Sequence, residues 1–303
     1  FLGAWLTSHT RGICCSPKAP NNTLISCYKL LKIKELIGGF YQSAGLNLIN
    51  AIARSGDYER LSDIPFGSAH RNYLDHYRID GDSARPTVLF FYGGNWRSGN
   101  KSDYRFVADT LACQGFNVVV PDYRLYPSVR FPEILQDAQL AYQWTLENVP
   151  ENQPLFIMGH SAGAQLGSLL TLNQSLLSQS YNCDQRLSGF VGLAGPYDFY
   201  PFTEDDHWDL FSPKERYAES QAVNFIRHDA PPLYLLHGKE DTRVRRGHSK
   251  SLMEKVVTAG GQADREIYEA MGHVDIILEF TRLHRRGSKV VEDISRFMKQ
   301  KSI

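Results

Sequence analysis

Three short stretches of this 303-residue chain set reactive side-chain types beside glycine, each at the end of an apolar run. The first is Gly159-His160-Ser161-Ala162-Gly163, which follows "PLFIM" and precedes the small-residue stretch "AQLGSLL". Glycines two before and two after a serine fit a sharp strand-to-helix turn that lifts the hydroxyl clear of a sheet. The same turn puts the amide of Ala162 at a helix N-terminus, where an oxyanion can be bound. A serine is a poor nucleophile unless a base takes its proton, and that base needs an orienting acid. Asp241 in "LLHGKEDTRV" and His273 in "YEAMGHVDI" supply these types in the order acid, then base. The separations are 80 residues (161 to 241) and 32 residues (241 to 273), the second leaving room for one helix and one strand. Acid and base are thus expected at neighbouring strand tips. The bland reading of Ser161 is a cap on a closely packed helix.

A tetrahedral intermediate needs two or more fixed donors for its oxygen. Besides Ala162, the stretch "FFYGGNW" ends an apolar run with Gly93, Gly94 and Asn95, whose amides can approach Ser161 because little side chain obstructs them. The competing reading is a glycine turn with Trp96 as a core anchor. Other polar groups near these motifs have plainer expectations. Glu240 points away if Asp241 points in, Asp275 caps the helix after His273, and His160 braces the turn at Ser161. His237 reads as a packed or hydrogen-bonded core residue, whereas His248 and His284 read as surface. Trp96, Tyr123, Tyr197 and Phe199 are the candidates for a substrate pocket, with Tyr126, Phe202 and Trp208 beyond them.

The elements that must position these groups alternate. "LSDIPFG" and "NYLDHYRID" have the period of half-buried strands and suit an antiparallel start. From Thr87 the pattern becomes strand, helix, strand, helix. Buried strands are expected at "TVLFFY", "GFNVVVPDY", "PLFIMGH", "GFVGLAG", "PPLYLLHG" and "REIYEA". Helices are expected over 103–113, 131–149, 162–172, 247–259 and 288–299. Such alternation predicts an α/β fold with a mostly parallel sheet covered on both faces, whose ligands bind beyond the carboxyl ends of the strands. Tyr197 to Ala230 breaks the alternation with aromatics, charges and proline, and reads as a lid or pocket insertion. Residues 28–53 carry helical spacing interrupted at Gly38-Gly39. They suggest two short helices within an N-terminal extension, residues 1–57, ahead of a catalytic domain over 58–303.

Equal numbers of basic and acidic residues, 33 of each, argue against nucleic acid or an anionic membrane as the main partner. No run of 18 apolar residues is present to span a bilayer. The cysteines (Cys14, Cys15, Cys27, Cys113, Cys183) have neither disulfide-framework nor metal-site spacing, and Cys113 and Cys183 read as buried or half-buried thiols. Triplets of the form N-x-S/T at Asn21, Asn100 and Asn173 are no more than chance supplies. The first residue is Phe, so the native start is expected to be trimmed or upstream. No apolar leader core is legible in residues 1–27. Cytoplasmic, exported and membrane-attached locations all stay open, as does a homodimer.

Taken together, "FFYGGNW", "VVVPDYRLYP", "FPEILQDAQLAYQW", "MGHSAGAQLGSLL", "GLAGPYDF", "LLHGKEDTRV" and Gly272-His273 resemble the α/β-hydrolase superfamily. More narrowly they resemble serine carboxylesterases of the hormone-sensitive-lipase-like and bacterial feruloyl-esterase-like branch. The resemblance implies an eight-stranded sheet and places nucleophile, acid and base on Ser161, Asp241 and His273. It puts oxyanion donors on Gly94, Asn95 and Ala162, and implies acyl transfer without cofactor or metal. Tyr92 stands where relatives carry histidine, and Asn95 replaces a third glycine. The form "YGG-x-W" is similar to a bacterial subgroup whose catalytic domain follows an exported or membrane-attached leader, of which residues 1–57 would be a remnant. The expected activity is hydrolysis of small-molecule esters with short to medium acyl or aryl groups. An amide-hydrolysing relative such as an arylformamidase, and a non-catalytic small-molecule binder of the same fold, are the alternatives.

Overall fold

The computed structural model describes residues 50, 57–81, 85–177, 186–281 and 287–302, all within one compact unit, Leu48–Ile303. Its centre is a sheet of eight strands: β1 (Glu59–Pro65), β2 (Tyr73–Arg78), β3 (Thr87–Phe91), β4 (Asn117–Pro121), β5 (Leu155–His160), β6 (Leu187–Leu193), β7 (Leu233–Gly238) and β8 (Ala263–Tyr268), in the spatial order β1-β2-β4-β3-β5-β6-β7-β8. The two pairings that involve β2 are antiparallel, and every later pairing is parallel. This is the mostly parallel sheet with an antiparallel start expected from the alternation, and its eight strands are the number that the α/β-hydrolase resemblance implies.

Sequence and burial agree strand by strand. Every residue of β3, β4 and β5 is buried, which is why these segments read as continuous apolar runs rather than alternating ones. At the edge, no residue of β1 is fully buried, and its register slips between Leu61 and Ile64. The register pairs Phe91 with Gly159, so Tyr92 and His160 leave the sheet side by side.

Helices α1 (Arg105–Cys113), α2 (Phe131–Asn148), α3 (Ala162–Leu172), α4 (Gln174–Leu177), α5 (Asp205–Leu210), α6 (Gly247–Thr258), α7 (Asp275–Leu278) and α8 (Lys289–Gln300) connect and cover the strands. The helix expected from Asp103 begins earlier, as a 3-10 turn over Lys101–Tyr104. Asn100 explains the shift: its Oδ1 accepts from the amides of Ser102 (2.9 Å) and Asp103 (3.2 Å), and the Asp103 carboxylate accepts the Asn100 amide at 3.1 Å. This reciprocal cap satisfies donors that a helix start leaves open. Cys113 is exposed rather than buried, because it closes α1 beyond that helix's packed face. The two helices expected within 28–53 and the residues Cys183 and His284 lie outside the described residues, apart from Asn50. That side chain accepts the amide of Phe106 at 3.0 Å, near the start of α1.

The segment from Tyr197 to Ala230 folds as α5 and two 3-10 turns, Lys214–Ser220 and Ala222–Asn224. Its rings pack on one another and on the sheet domain: Phe211 touches Phe131 of α2 (4.8 Å between centroids) and Trp96 (5.1 Å). Among the described residues no helix is long and apolar enough to cross a membrane.

Candidate active site

Ser161 stands between β5 and α3 with φ 54° and ψ −121°, outside the comfortable range for a residue with a side chain. Two glycines make that turn possible by close approach. A Cβ on Gly163 would overlap the carbonyl oxygens of Phe91 and Tyr92, and one on Gly159 would overlap the backbone of Gly163. The amide of Ser161 donates to Leu193 O on β6 at 2.9 Å, tying the turn to the neighbouring strand.

Asp241 and His273, the candidate acid and base, arrive from the loops after β7 and β8. Lys239 N donates to Tyr268 O (2.8 Å) and Glu240 N to Met271 O (2.9 Å), so the two strand-end loops continue to pair after the strands stop. His273 Nδ1 lies 2.8 Å from Asp241 Oδ2, and His273 Nε2 lies 2.9 Å from Ser161 Oγ. All three groups are largely shut from water, with Ser161 and His273 each 8% exposed. Asp241 Oδ1 accepts the amides of Arg243 and Val244, both at 2.9 Å. Burial pushes the Asp241 carboxyl up, but hydrogen bonds from His237 and His273, the charge of His273 and the Val244 amide together hold it well below the usual carboxylate range. The carboxylate is therefore an anion throughout ordinary pH, able to hold the imidazole in one tautomer. Glu240 is exposed. Asp275 opens α7 and turns back to accept the Gly272 amide at 2.7 Å, which fixes the loop carrying His273.

The glycine loop after β3 lies against Ser161. A Cβ on Gly93 would sit 3.0 Å from Ser161 Cβ and 2.9 Å from His160 Nδ1. Gly94, Asn95 and Trp96 follow with φ of 145°, 52° and 57°, a run of left-handed residues that is costly for tryptophan. Trp96 is held there by Nε1–H donating to Gln165 Oε1 at 3.2 Å, and Gln165 Nε2 in turn donates to Ser220 O at 2.7 Å. Neither Gln165 nor Ser220 carries a motif that sequence reading could have recognised.

Tyr92 is locked from every side. Its ring stacks on Tyr104 (5.3 Å) and on Tyr123 (4.7 Å). Its hydroxyl donates to Asp122 Oδ1 at 2.7 Å and accepts from Arg71 Nη2 at 3.1 Å. Tyr123 donates to Tyr92 O (2.7 Å) and Tyr104 to Gly93 O (3.2 Å), so both flanking hydroxyls also hold the loop's backbone. Burial raises the phenol pKa of Tyr92 far above the ordinary value, so it stays a neutral donor.

The pocket candidates divide. Trp96 and Phe199 stack at 6.0 Å and meet His207 and Phe211. Tyr123 and Tyr197 are fully buried, the first beneath the glycine loop and the second with its hydroxyl against Gly192 and Gly195. The insertion is pinned to the glycine loop and the loop after β4. Asp206 pairs with Arg97, Asp209 pairs with Arg130 at 2.8 Å, and Tyr126 donates to Asp209 at 3.0 Å. His248 is half-buried rather than at the surface, its Nδ1 2.5 Å from Asp198 O.

Comparison with known proteins agrees with the fold. The BD-FAE family model matches residues 74–256, more than half of the chain. The isoprenylcysteine α-carbonyl methylesterase ICME of Arabidopsis thaliana is 25% identical over 283 residues, covering 84% of this chain and 63% of its own length. The probable carboxylic ester hydrolase LipM of Mycobacterium tuberculosis (strain ATCC 25618 / H37Rv) is 30% identical over 213 residues, covering 62% of this chain and 49% of its own. The chain thus spans less than two thirds of these curated relatives. Among solved structures, esterase B from Lactobacillus rhamnosis (HN001) superposes with a TM-score of 0.74 at 18% identity, covering 91% of this chain and 96% of that one. The matched residues run from β2 through α6 and include the serine turn and the acid loop, and the chain belongs to the BD-FAE family of α/β-hydrolases.

Proposed function

We propose that this chain hydrolyses carboxylic esters through Ser161 as nucleophile, His273 as general base and Asp241 as orienting acid. The observation that carries the reading is the continuous chain Asp241–His273–Ser161, with links of 2.8 and 2.9 Å, at the carboxyl ends of β5, β7 and β8. His273 Nε2 takes the hydroxyl proton as Ser161 Oγ attacks the ester carbonyl, and the negative charge moves to the carbonyl oxygen. The Ala162 amide at the start of α3 and the amides of the Gly93–Asn95 loop stabilise that oxygen. His273 then protonates the leaving alcohol, and water, deprotonated by the same ring, releases the acid. Apart from the ester and water, every group used in these steps belongs to the chain.

Phe199, half-buried against the buried rings of Trp96 and Phe211 and beside His207, offers an apolar surface that suits acyl or aryl groups of small to medium size. The names of ICME and LipM, an ester hydrolase each, support the reaction class. The test is hydrolysis of p-nitrophenyl esters of graded chain length beside N-formylkynurenine. Wild type turns over the esters faster, and Ser161→Ala lowers kcat by about 10⁴-fold or more. Undiminished activity in Ser161→Ala rules the mechanism out. Preference for the formyl amide with Ser161 still required moves the substrate class to amides.

A further inference from the structure

His237 is the next-to-last residue of β7, and its side chain is wholly buried. Its Nε2 lies 2.9 Å from Val244 O and 3.2 Å from Asp241 Oδ2. Both neighbours are acceptors, so Nε2 must carry the proton, shared between a carbonyl and the carboxylate. The other nitrogen, Nδ1, has no hydrogen-bond partner among the described residues. A bare lone pair is tolerated there far better than an N–H without an acceptor. The geometry therefore assigns His237 as the neutral Nε2–H tautomer.

That assignment has a chemical consequence at Asp241. Oδ2 receives two imidazole donors, His273 Nδ1 and His237 Nε2, while Oδ1 receives the Arg243 and Val244 amides. Val244 takes part twice, its amide on Oδ1 and its carbonyl on the His237 proton, so the ring and the carboxylate are keyed to one residue. We propose that His237 is a positioning residue, resting on the Asp241–His273–Ser161 reading. It fixes the rotation of the Asp241 carboxylate and withdraws charge from the oxygen that faces His273. A carboxylate with fewer donors binds the imidazolium form of its partner more tightly. His237 thus keeps His273 a base that gives its proton up again to the leaving alcohol.

Titratable and charged groups face this pair from four elements. Asp241 and Arg243 lie on the acid loop, His248 on α6, His273 on the loop after β8, and His160 at the end of β5. Among the described residues, His237 alone joins His273 on Asp241 Oδ2, which makes the effect of its removal specific.

The experiment compares His237→Phe and His237→Gln with wild type in ester hydrolysis across pH, with thermal unfolding as a check on folding and Ser161→Ala alongside. Phenylalanine removes the donor at similar volume, and the glutamine amide can reach the same oxygen. In His237→Phe, kcat/KM falls roughly ten- to a hundredfold, and its acid limb moves to higher pH by about half a unit to one unit. His237→Gln returns the limb toward wild type. A folded Phe variant with an unmoved limb, or a Gln variant no closer to wild type than Phe, overturns the proposal. A second measurement needs no variant: two-bond proton–nitrogen correlations on protein with ¹⁵N-labelled histidine. The His237 proton is expected on Nε2, and a proton on Nδ1 overturns the proposal whatever the kinetics. Activity that survives in Ser161→Ala instead marks failure of the nucleophile reading, a separate outcome.

Discussion

The two sides of the serine turn are built in opposite ways. On the acid–base side, beyond β7 and β8, the loops are held by their own backbone amides, which donate to carboxylates two or three residues away or across to the neighbouring loop. Arg243 N and Val244 N reach Asp241, Gly272 N reaches Asp275, and Glu240 N reaches Met271 O. On the glycine-loop side, beyond β3, the backbone is held by side chains from distant segments. Arg71, Tyr104, Asp122, Tyr123 and Gln165 all bear on residues 92–96 or on the chain that returns from them. The first design places single atoms, and the second supports a surface. Losing one atom on the acid–base side should therefore abolish chemistry while leaving the fold intact. Losing one on the glycine-loop side should cost stability first.

The largest effect expected is on the acid–base side. His273→Ala removes the only ring that touches Ser161 Oγ among the described residues, and kcat should fall by about 10⁴-fold or more. Its unfolding midpoint should stay within a few degrees of wild type, since the imidazole is packed at the site's surface rather than within the sheet. A loss below about a hundredfold, set against the triad magnitudes, would show that another base serves.

Gly93→Ala tests the glycine loop at its point of contact. The added Cβ meets Ser161 Cβ at 3.0 Å and His160 Nδ1 at 2.9 Å, so the loop has to retreat by a few tenths of an ångström. Oxyanion donors are worth roughly 10²- to 10³-fold in kcat, and they act only when aimed. The variant should lose activity in that range with KM nearly unchanged. An unaltered kcat would mean that this loop does not hold the oxyanion.

What could be read in advance follows the same division. The serine turn and the acid loop announce themselves because local backbone geometry forces glycine at fixed offsets from Ser161 and just before the Asp241 loop. The strands β3 to β7 are legible because burial on both faces leaves apolar runs with no alternation. Gln165, Arg97 and Ser220 had no such signal: each matters through a contact that exists only once the chain has folded, and nothing about its neighbours in sequence marks it. Tyr123 and Tyr197 show the converse error of scale. An aromatic beside a strand end looks like a pocket wall, yet both rings pack fully inside. His237 was legible as a hydrogen-bonded core residue, but its partner was not, because Asp241 Oδ2 lies four residues along a turn whose geometry the sequence leaves open.

Tyr92→Phe should give a smaller effect, on stability. Removing the hydroxyl takes away the Asp122 partner at 2.7 Å and leaves the carboxylate to Arg71 and the Lys101 amide. Burial already pushes the Asp122 carboxyl up, against the pull of Tyr92, Arg71 and Lys101, so the change makes a buried anion harder to keep. The cost should be about 1 to 3 kcal/mol, seen as a lower unfolding midpoint, with kcat reduced only a few-fold. A kcat loss matching that of Gly93→Ala, without a lower midpoint, would contradict the division between the two sides.

His160 joins them, and its test is invisible at neutral pH. Its Nε2–H donates to His273 O at 3.1 Å, while Nδ1 faces Gly93 and has no hydrogen-bond partner among the described residues. A second proton would find no acceptor. Burial first, and the nearby charge of His273 second, hold the pKa down to about 3. An unfolded histidine titrates near 6.5, so between about pH 3 and 6.5 the unfolded chain binds the extra proton and the folded chain does not. Stability from this group is therefore complete above about pH 6.5 and is lost as pH falls toward 3. His160→Gln keeps a donor toward His273 O and cannot titrate. Its unfolding midpoint should decline less steeply than that of wild type from pH 6.5 to 4, while the two curves run parallel above pH 7. Parallel curves throughout would mean that the ring accepts its second proton in place, and that the joint between the two sides is looser than these contacts imply.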